Sequence, residues 1–177
     1  MLEVRQISTS QAPRRTDVAP PFTGRTLVLG LGNPLLRDDA VGLHVVRRLR
    51  SLLQEAPGVE VAEDHGGGLH LMERLIGFDR VVIIDAQRSN RSPGTVRVFS
   101  ATVVPTQHSA SAHDVDLPTA LELGRRSGAA LPRLSDIRVV AVEAADVHSF
   151  GEECTAAVAA SIPLAAGAVL DLLQAWR

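Results

Sequence analysis

The run Thr26-Leu27-Val28-Leu29-Gly30-Leu31-Gly32 is followed by Val41, Val45, Val46, Leu49, Leu52 and Leu53 at helical spacing, and these two patterns decide the fold. A short apolar run that ends in a glycine suits a strand covered on both faces of a parallel sheet. The helix predicted over Val41 to Glu55 carries Arg47, Arg48 and Arg50 opposite its apolar stripe and is closed by Pro57-Gly58. Working outward, Val59 to Glu63 reads as a second strand, Leu69 to Ile76 as a second helix and Val81 to Asp85 as a third strand. Pro93-Gly94 marks a turn before Thr95 to Phe99, whose alternation suits an edge or antiparallel strand. Asp116 with Pro118 starts a helix over Leu117 to Arg126, Ile137 to Val142 is the last strand, and residues 152 to 176 form a terminal helix interrupted or kinked at Pro163. Strands alternating with helices imply right-handed crossovers. The expected architecture is a single three-layer α/β/α domain with a mainly parallel, twisted sheet and one edge or antiparallel strand.

Composition narrows the chemistry. The chain has 177 residues, and all 18 of its Lys+Arg positions are arginine. Without lysine there is no Schiff base and no Walker-type phosphate lysine. Tyrosine is absent and aromatics are 3% of residues, which argues against base-stacking platforms for single-stranded nucleic acid. A net charge of −2 offers no concentrated positive field for nucleic acid or an anionic membrane. Cys154 is the only cysteine, so no internal disulfide forms, in keeping with a reducing, cytoplasmic compartment. The apolar stretch from Cys154 to Leu170 is Ala-rich, contains Ser161, Pro163 and Gly167, and falls short of the ~20 strongly apolar residues of a membrane span. It reads as a core helix. Residues 1 to 24 contain Arg14-Arg15 but no following apolar region, so they are expected to be a flexible polar extension to a domain covering 25 to 177.

Ligands of such folds sit at the carboxyl ends of the strands. Those ends carry Gly30-Leu31-Gly32-Asn33-Pro34-Leu35-Leu36-Arg37-Asp38-Asp39, then Glu63-Asp64-His65-Gly66-Gly67-Gly68, then Asp85, then His108 and His113, and finally Glu143, Asp146 and His148. A dinucleotide site fails because the third glycine of G-x-G-x-x-G would fall at Leu35, and two aspartates stand where a pyrophosphate needs positive potential. Gly30-Leu31-Gly32-Asn33-Pro34 also resembles the opening of bacterial peptidyl-tRNA hydrolases. The following residues supply neither the Tyr nor the His of that family, and the charge is wrong for tRNA.

The whole segment from Leu27 to Gly42 resembles the hydrogenase maturation proteases, whose first motif runs G-x-G-N-x-L-x-x-D-[DE]-x-x-G. Every fixed position is filled. Asp85 in Ile83-Ile84-Asp85-Ala86, followed by Ser92-Pro93-Gly94-Thr95, is similar to the second motif, and Ser111-Ala112-His113 to the third. The resemblance implies an endopeptidase that removes the C-terminal extension of a [NiFe] hydrogenase large-subunit precursor. It also implies that Asp39, Asp85 and His113 are the metal-binding and catalytic cluster, meeting a nickel carried by the substrate rather than permanently bound. Two carboxylates and an imidazole form an O/O/N set suited to Ni or Zn. The implied partner is that precursor, and the protease is expected to act as a monomer.

Two roles for the metal stay open: polarising the scissile carbonyl or activating water, or recognition alone while a neighbouring carboxylate assists water. A non-catalytic metal or protein binding module on the same fold is the alternative function. The family's usual Asp-Gly-Gly-Thr stretch is replaced here by Glu63-Asp64-His65-Gly66, and Gly151 to Val158 has Ala156 where the family usually has proline. Neither segment is assigned a catalytic role. Asp38 is read as the cap of the first helix, and Cys154 as a buried small hydrophobe.

Overall fold

The computed structural model describes residues 24–102 and 116–177. Five strands form one sheet: β1 (Thr26–Leu31), β2 (Val59–Asp64), β3 (Arg80–Gln87), β4 (Val96–Ser100) and β5 (Ile137–Glu143). Their order across the sheet is β2-β1-β3-β5-β4, with every pairing parallel except the antiparallel β4–β5 edge. Three helices lie between strands, α1 (Val41–Leu53), α2 (Gly68–Arg74) and α3 (Leu117–Arg126), and α4 (Ala156–Ala175) follows β5.

All six residues of β1 are buried because neighbouring side chains point to opposite faces and both faces are covered. Val28 joins Val82, Ile84, Val140 and Val142 beneath Val45, Val46 and Leu49 of α1 and Val158 and Val169 of α4. Leu27, Leu29 and Leu31 join Val81, Ile83 and Val139 beneath Leu71 of α2 and Leu117 and Leu121 of α3. This is the expected three-layer arrangement, with β4 as the antiparallel edge. Asp116 caps α3 by accepting the Thr119 N–H at 2.8 Å, as the Asp-x-Pro pattern predicts.

The terminal helix differs from expectation in two instructive ways. α4 begins at Ala156 rather than at 152, because the N–H of Thr155 is held by the Asp38 side chain. The helix then runs unbroken through Pro163. The acceptor that loses its donor there is the Ala159 carbonyl; both Ala159 and Pro163 are exposed, so solvent can take the donor's place. α4 is the one helix among the described residues long and apolar enough to cross a membrane. It lies on the sheet, with Val158, Ala165, Val169 and Leu173 in the core.

Candidate active site

Three glycines let α1 press onto the strand ends. A Cβ on Gly42 would run into the carbonyl oxygens of Leu31 and Ile84, and one on Gly30 into the carbonyl of Gly42. Gly32 has φ of +149°, and a Cβ there would strike the Asp39 carbonyl. The glycines of the first motif are thus explained by backbone-on-backbone packing. The result is that the 3-10 turn Asp38–Ala40, which precedes α1, packs against β3 at the carboxyl edge of the sheet.

The two aspartates of that turn have different surroundings. Asp38 is fully buried. Its Oδ1 accepts the Thr155 N–H at 2.6 Å, and its Oδ2 accepts the N–H groups of Ala145 (2.9 Å) and Asp146 (2.8 Å) and the Thr155 hydroxyl (3.0 Å). The expectation that Asp38 caps α1 is therefore corrected. The cap position belongs to Ala40, with no side-chain cap bond, while Asp38 ties the first loop to the segment between β5 and α4. Asp39 is half-buried; among the described residues its carboxylate accepts one hydrogen bond, the Asn33 N–H on Oδ2 at 2.8 Å.

Asp85 lies in the carboxyl half of β3, paired with Ala141 of β5, and is 5% exposed. The packing of the Asp39 turn on β3 brings these two predicted residues to one edge of the sheet. His113, together with His108 and Ser111, lies outside the described residues. Among the described residues, no three His, Cys, Asp or Glu side chains gather in a set that could hold a metal ion.

The other acidic groups of this edge hold loops. Glu63 turns to α1, where it accepts Arg47 Nη2 at 2.8 Å and Arg50 Nη2 at 3.1 Å. Asp64 is buried and accepts the N–H groups of His65 (2.7 Å) and Gly66 (2.9 Å), with His70 Nε2 at 3.1 Å and Arg74 Nε at 2.9 Å. Burial pushes its carboxyl up, but those N–H groups and the two basic side chains outweigh burial and hold it below its ordinary value. His65 Nδ1 reaches the Gly32 carbonyl at 2.7 Å, so the loop after β2 is fastened to the first motif. The Glu63 to Gly68 segment thus has a structural duty.

Glu143 ends β5 and is 4% exposed. It accepts the Ser89 N–H and hydroxyl, both at 2.6 Å, and the Arg91 N–H at 3.1 Å. Burial pushes its carboxyl up; these donors and the nearby Arg97 guanidinium bring it below the usual range. Asp146 accepts the N–H groups of Ser149 and His148 in its own turn, and these bonds push it down to about 2. His148 Nε2 faces Arg88 Nη1 at 3.1 Å. Cys154 donates to the Arg37 carbonyl at 3.5 Å, and burial, then the Asp38 charge, pushes its thiol up to about 11.

A family model described as hydrogenase maturation protease matches residues 43–172. The chain belongs to that family. The protease is 30% identical over 119 residues to the hydrogenase 2 maturation protease of Escherichia coli K12, a match covering 66% of this chain and 73% of that protein. It is 27% identical over 162 residues to the hydrogenase expression/formation protein HupD of Rhizobium leguminosarum bv. viciae, covering 90% and 79%. Its fold superimposes on the hydrogenase maturating endopeptidase HybD from E. coli with a TM-score of 0.68 at 28% identity, covering 85% of this chain and 92% of that one. The protease is accordingly a hydrogenase maturation endopeptidase, and the non-catalytic alternative gives way.

Sequence reasoning missed the loop-holding work of Asp38, Asp64 and Glu143, because their partners come from distant loops. It also missed the pairing of the motif loop with residues 149–151. There Leu36 and Phe150 form an antiparallel bridge, flanked by Arg37 N–H to Ser149 carbonyl (3.2 Å) and Gly151 N–H to Leu35 carbonyl (3.0 Å).

Proposed function

We propose that this protease removes the C-terminal extension of a [NiFe] hydrogenase large-subunit precursor after nickel insertion, with Asp39, Asp85 and His113 meeting the substrate-borne nickel. The observation that carries the reading is the division of labour between the two motif aspartates. Asp38 is consumed by four hydrogen bonds, whereas Asp39 accepts one among the described residues and stands on a turn packed against the strand that bears Asp85. Two hard carboxylates and a borderline imidazole suit nickel, and a ligand set without thiolate leaves room for the precursor's own ligands. A precursor lacking the metal would lose that anchor, so cleavage works as a checkpoint on loading. The reading includes a monomer working in the cytoplasm, in keeping with a single buried thiol.

The test is incubation of the protease with nickel-loaded precursor and with the same precursor free of metal. Processing of the loaded form only is expected; processing of both, or of neither, overturns the checkpoint. Asp39→Asn and His113→Ala should each abolish processing while leaving thermal unfolding near that of the parent. Normal cleavage by either variant would remove that residue from the site.

A further inference from the structure

The peptide that joins Gly32 to Asn33 is bonded at both of its polar atoms. Its carbonyl accepts from Nδ1 of His65 at 2.7 Å, and its N–H donates to Asp39 Oδ2 at 2.8 Å. A carbonyl oxygen only accepts, so Nδ1 carries the ring proton and the lone pair of the neutral imidazole is on Nε2. Two consecutive residues grip Gly32, because its own N–H donates to the Asp64 carbonyl at 3.2 Å. Gly32 has φ of +149° and no side chain of its own to restrain the rotation of this peptide.

We propose that His65 is a positioning residue for the cleavage reaction: it fixes the Gly32–Asn33 peptide so that the Asn33 N–H holds the Asp39 carboxylate in place. The proposal rests on the reading of Asp39 as part of the reaction site. In a trans peptide the C=O and N–H point in opposite directions, so anchoring the carbonyl on one side aims the N–H on the other. A donor on the carbonyl also polarises the amide and strengthens its own donation, here to Asp39. Four donors hold Asp38, whereas the Asn33 N–H is the one that the Asp39 carboxylate accepts among the described residues, so the place of Asp39 depends on this peptide.

His65 is itself held. Its N–H and that of Gly66 converge on Asp64 Oδ1, at 2.7 and 2.9 Å, and Asp64 is ion-paired with Arg74 Nε of α2 at 2.9 Å. A continuous path therefore runs from α2 through Asp64, His65 and the Gly32–Asn33 peptide to Asp39. His65 is exposed and joins the core on neither face of the sheet, so its ring is not there for packing. Reacting groups need support of this kind, because small misplacements are costly in rate.

The experiment compares the parent protease with His65→Ala, His65→Asn and His70→Ala on nickel-loaded precursor, and follows the Asn33 amide by proton–nitrogen NMR. His65→Ala is expected to lower kcat/KM about fivefold or more and to move the Asn33 resonance, with the thermal midpoint near that of the parent. His65→Asn places an amide N–H where Nδ1 stands and has nothing in the place of Nε2; it should restore kcat/KM to within about threefold of the parent and return the resonance. His70→Ala releases Asp64 from His70 without touching Gly32, and should process at the parent's rate. Parent-like processing by His65→Ala, or an unmoved Asn33 resonance, overturns the proposal. So does failure of His65→Asn to recover, which would make Nε2 the required atom. An equal loss in His70→Ala overturns it too, by reducing the effect to loosening of the loop. Asp39→Asn is run beside them. Normal cleavage by that variant removes Asp39 from the site and this proposal with it, whereas an inactive Asp39→Asn beside a fully active His65→Ala overturns this proposal alone.

Discussion

The Asp38 carboxylate holds the Thr155 N–H at 2.6 Å across a separation of 117 residues. With the Ala145 and Asp146 N–H groups and the Thr155 hydroxyl on its other oxygen, this buried group fixes the loop between β5 and α4 against the motif that bears Asp39. Asp38→Asn places an amide NH₂ among donors and is expected to lower stability by about 2–4 kcal/mol. Asp39→Asn keeps an acceptor for the Asn33 N–H, the one bond its carboxylate accepts among the described residues, and should change stability by less than ~1 kcal/mol. Urea unfolding of the pair reads the contrast. Equal stability of the two variants would remove the division between them.

That contrast also marks where sequence reading stops. The layers were legible because period-2 burial in β1, with Val28 on one face and Leu27 and Leu29 on the other, leaves an uninterrupted apolar run. The place of Asp39 and Asp85 at one edge follows from parallel topology, since strand ends share an edge. The role of Asp38 was not legible: a helix cap and a long-range loop anchor have the same local sequence, and Thr155 carries no signal of its partner.

Two glycines on helices give opposite expectations. Gly42→Ala drives a methyl group into the carbonyls of Leu31 and Ile84, backbone atoms that cannot step aside, so α1 must lift from the sheet. A loss of about 3 kcal/mol or more is expected, with loss of processing because the Asp39 turn moves with the helix. Gly167 lies inside α4, and a Cβ there meets nothing within 4 Å. Gly167→Ala should stabilise by about 0.5–1 kcal/mol through helix propensity alone. Thermal unfolding midpoints of the two variants check both signs.

Acid should unfold the protein through its loop-holding carboxylates. Glu143 and Asp64 both lie below their ordinary values because their donors outweigh burial. The folded chain therefore releases these protons more readily than the unfolded chain, whose values lie near ~4.3 and ~3.9. Stability from both groups is full above about pH 5 and is lost as pH falls through the ordinary carboxylate range toward the lowered folded values. The urea midpoint should be flat from about pH 7 to 5.5 and fall below about 4.5. Glu143→Gln should cost about 1–3 kcal/mol at neutral pH, since an amide cannot accept from Ser89 and Arg91 as a carboxylate does, and should flatten the acid slope. A slope equal to the parent's would show that Glu143 is not among the groups responsible.

Cys154 offers the last test, because its neighbour Thr155 is the residue that Asp38 grips. Burial first, and then the charge of that same Asp38, push the thiol up to about 11, and its proton is directed at the Arg37 carbonyl. At pH 8 only ~0.1% is thiolate, the form that reacts. Iodoacetamide should therefore label the native protein far more slowly than the urea-unfolded one, and should not stop processing on the time scale of the assay. Cys154→Ala should cleave precursor at the parent's rate and lose about 1 kcal/mol of stability from packing and one weak bond. Rapid inactivation by alkylation, with loss of cleavage in Cys154→Ala, would assign the chemistry to the thiol just before α4 in place of the proposed carboxylates Asp39 and Asp85.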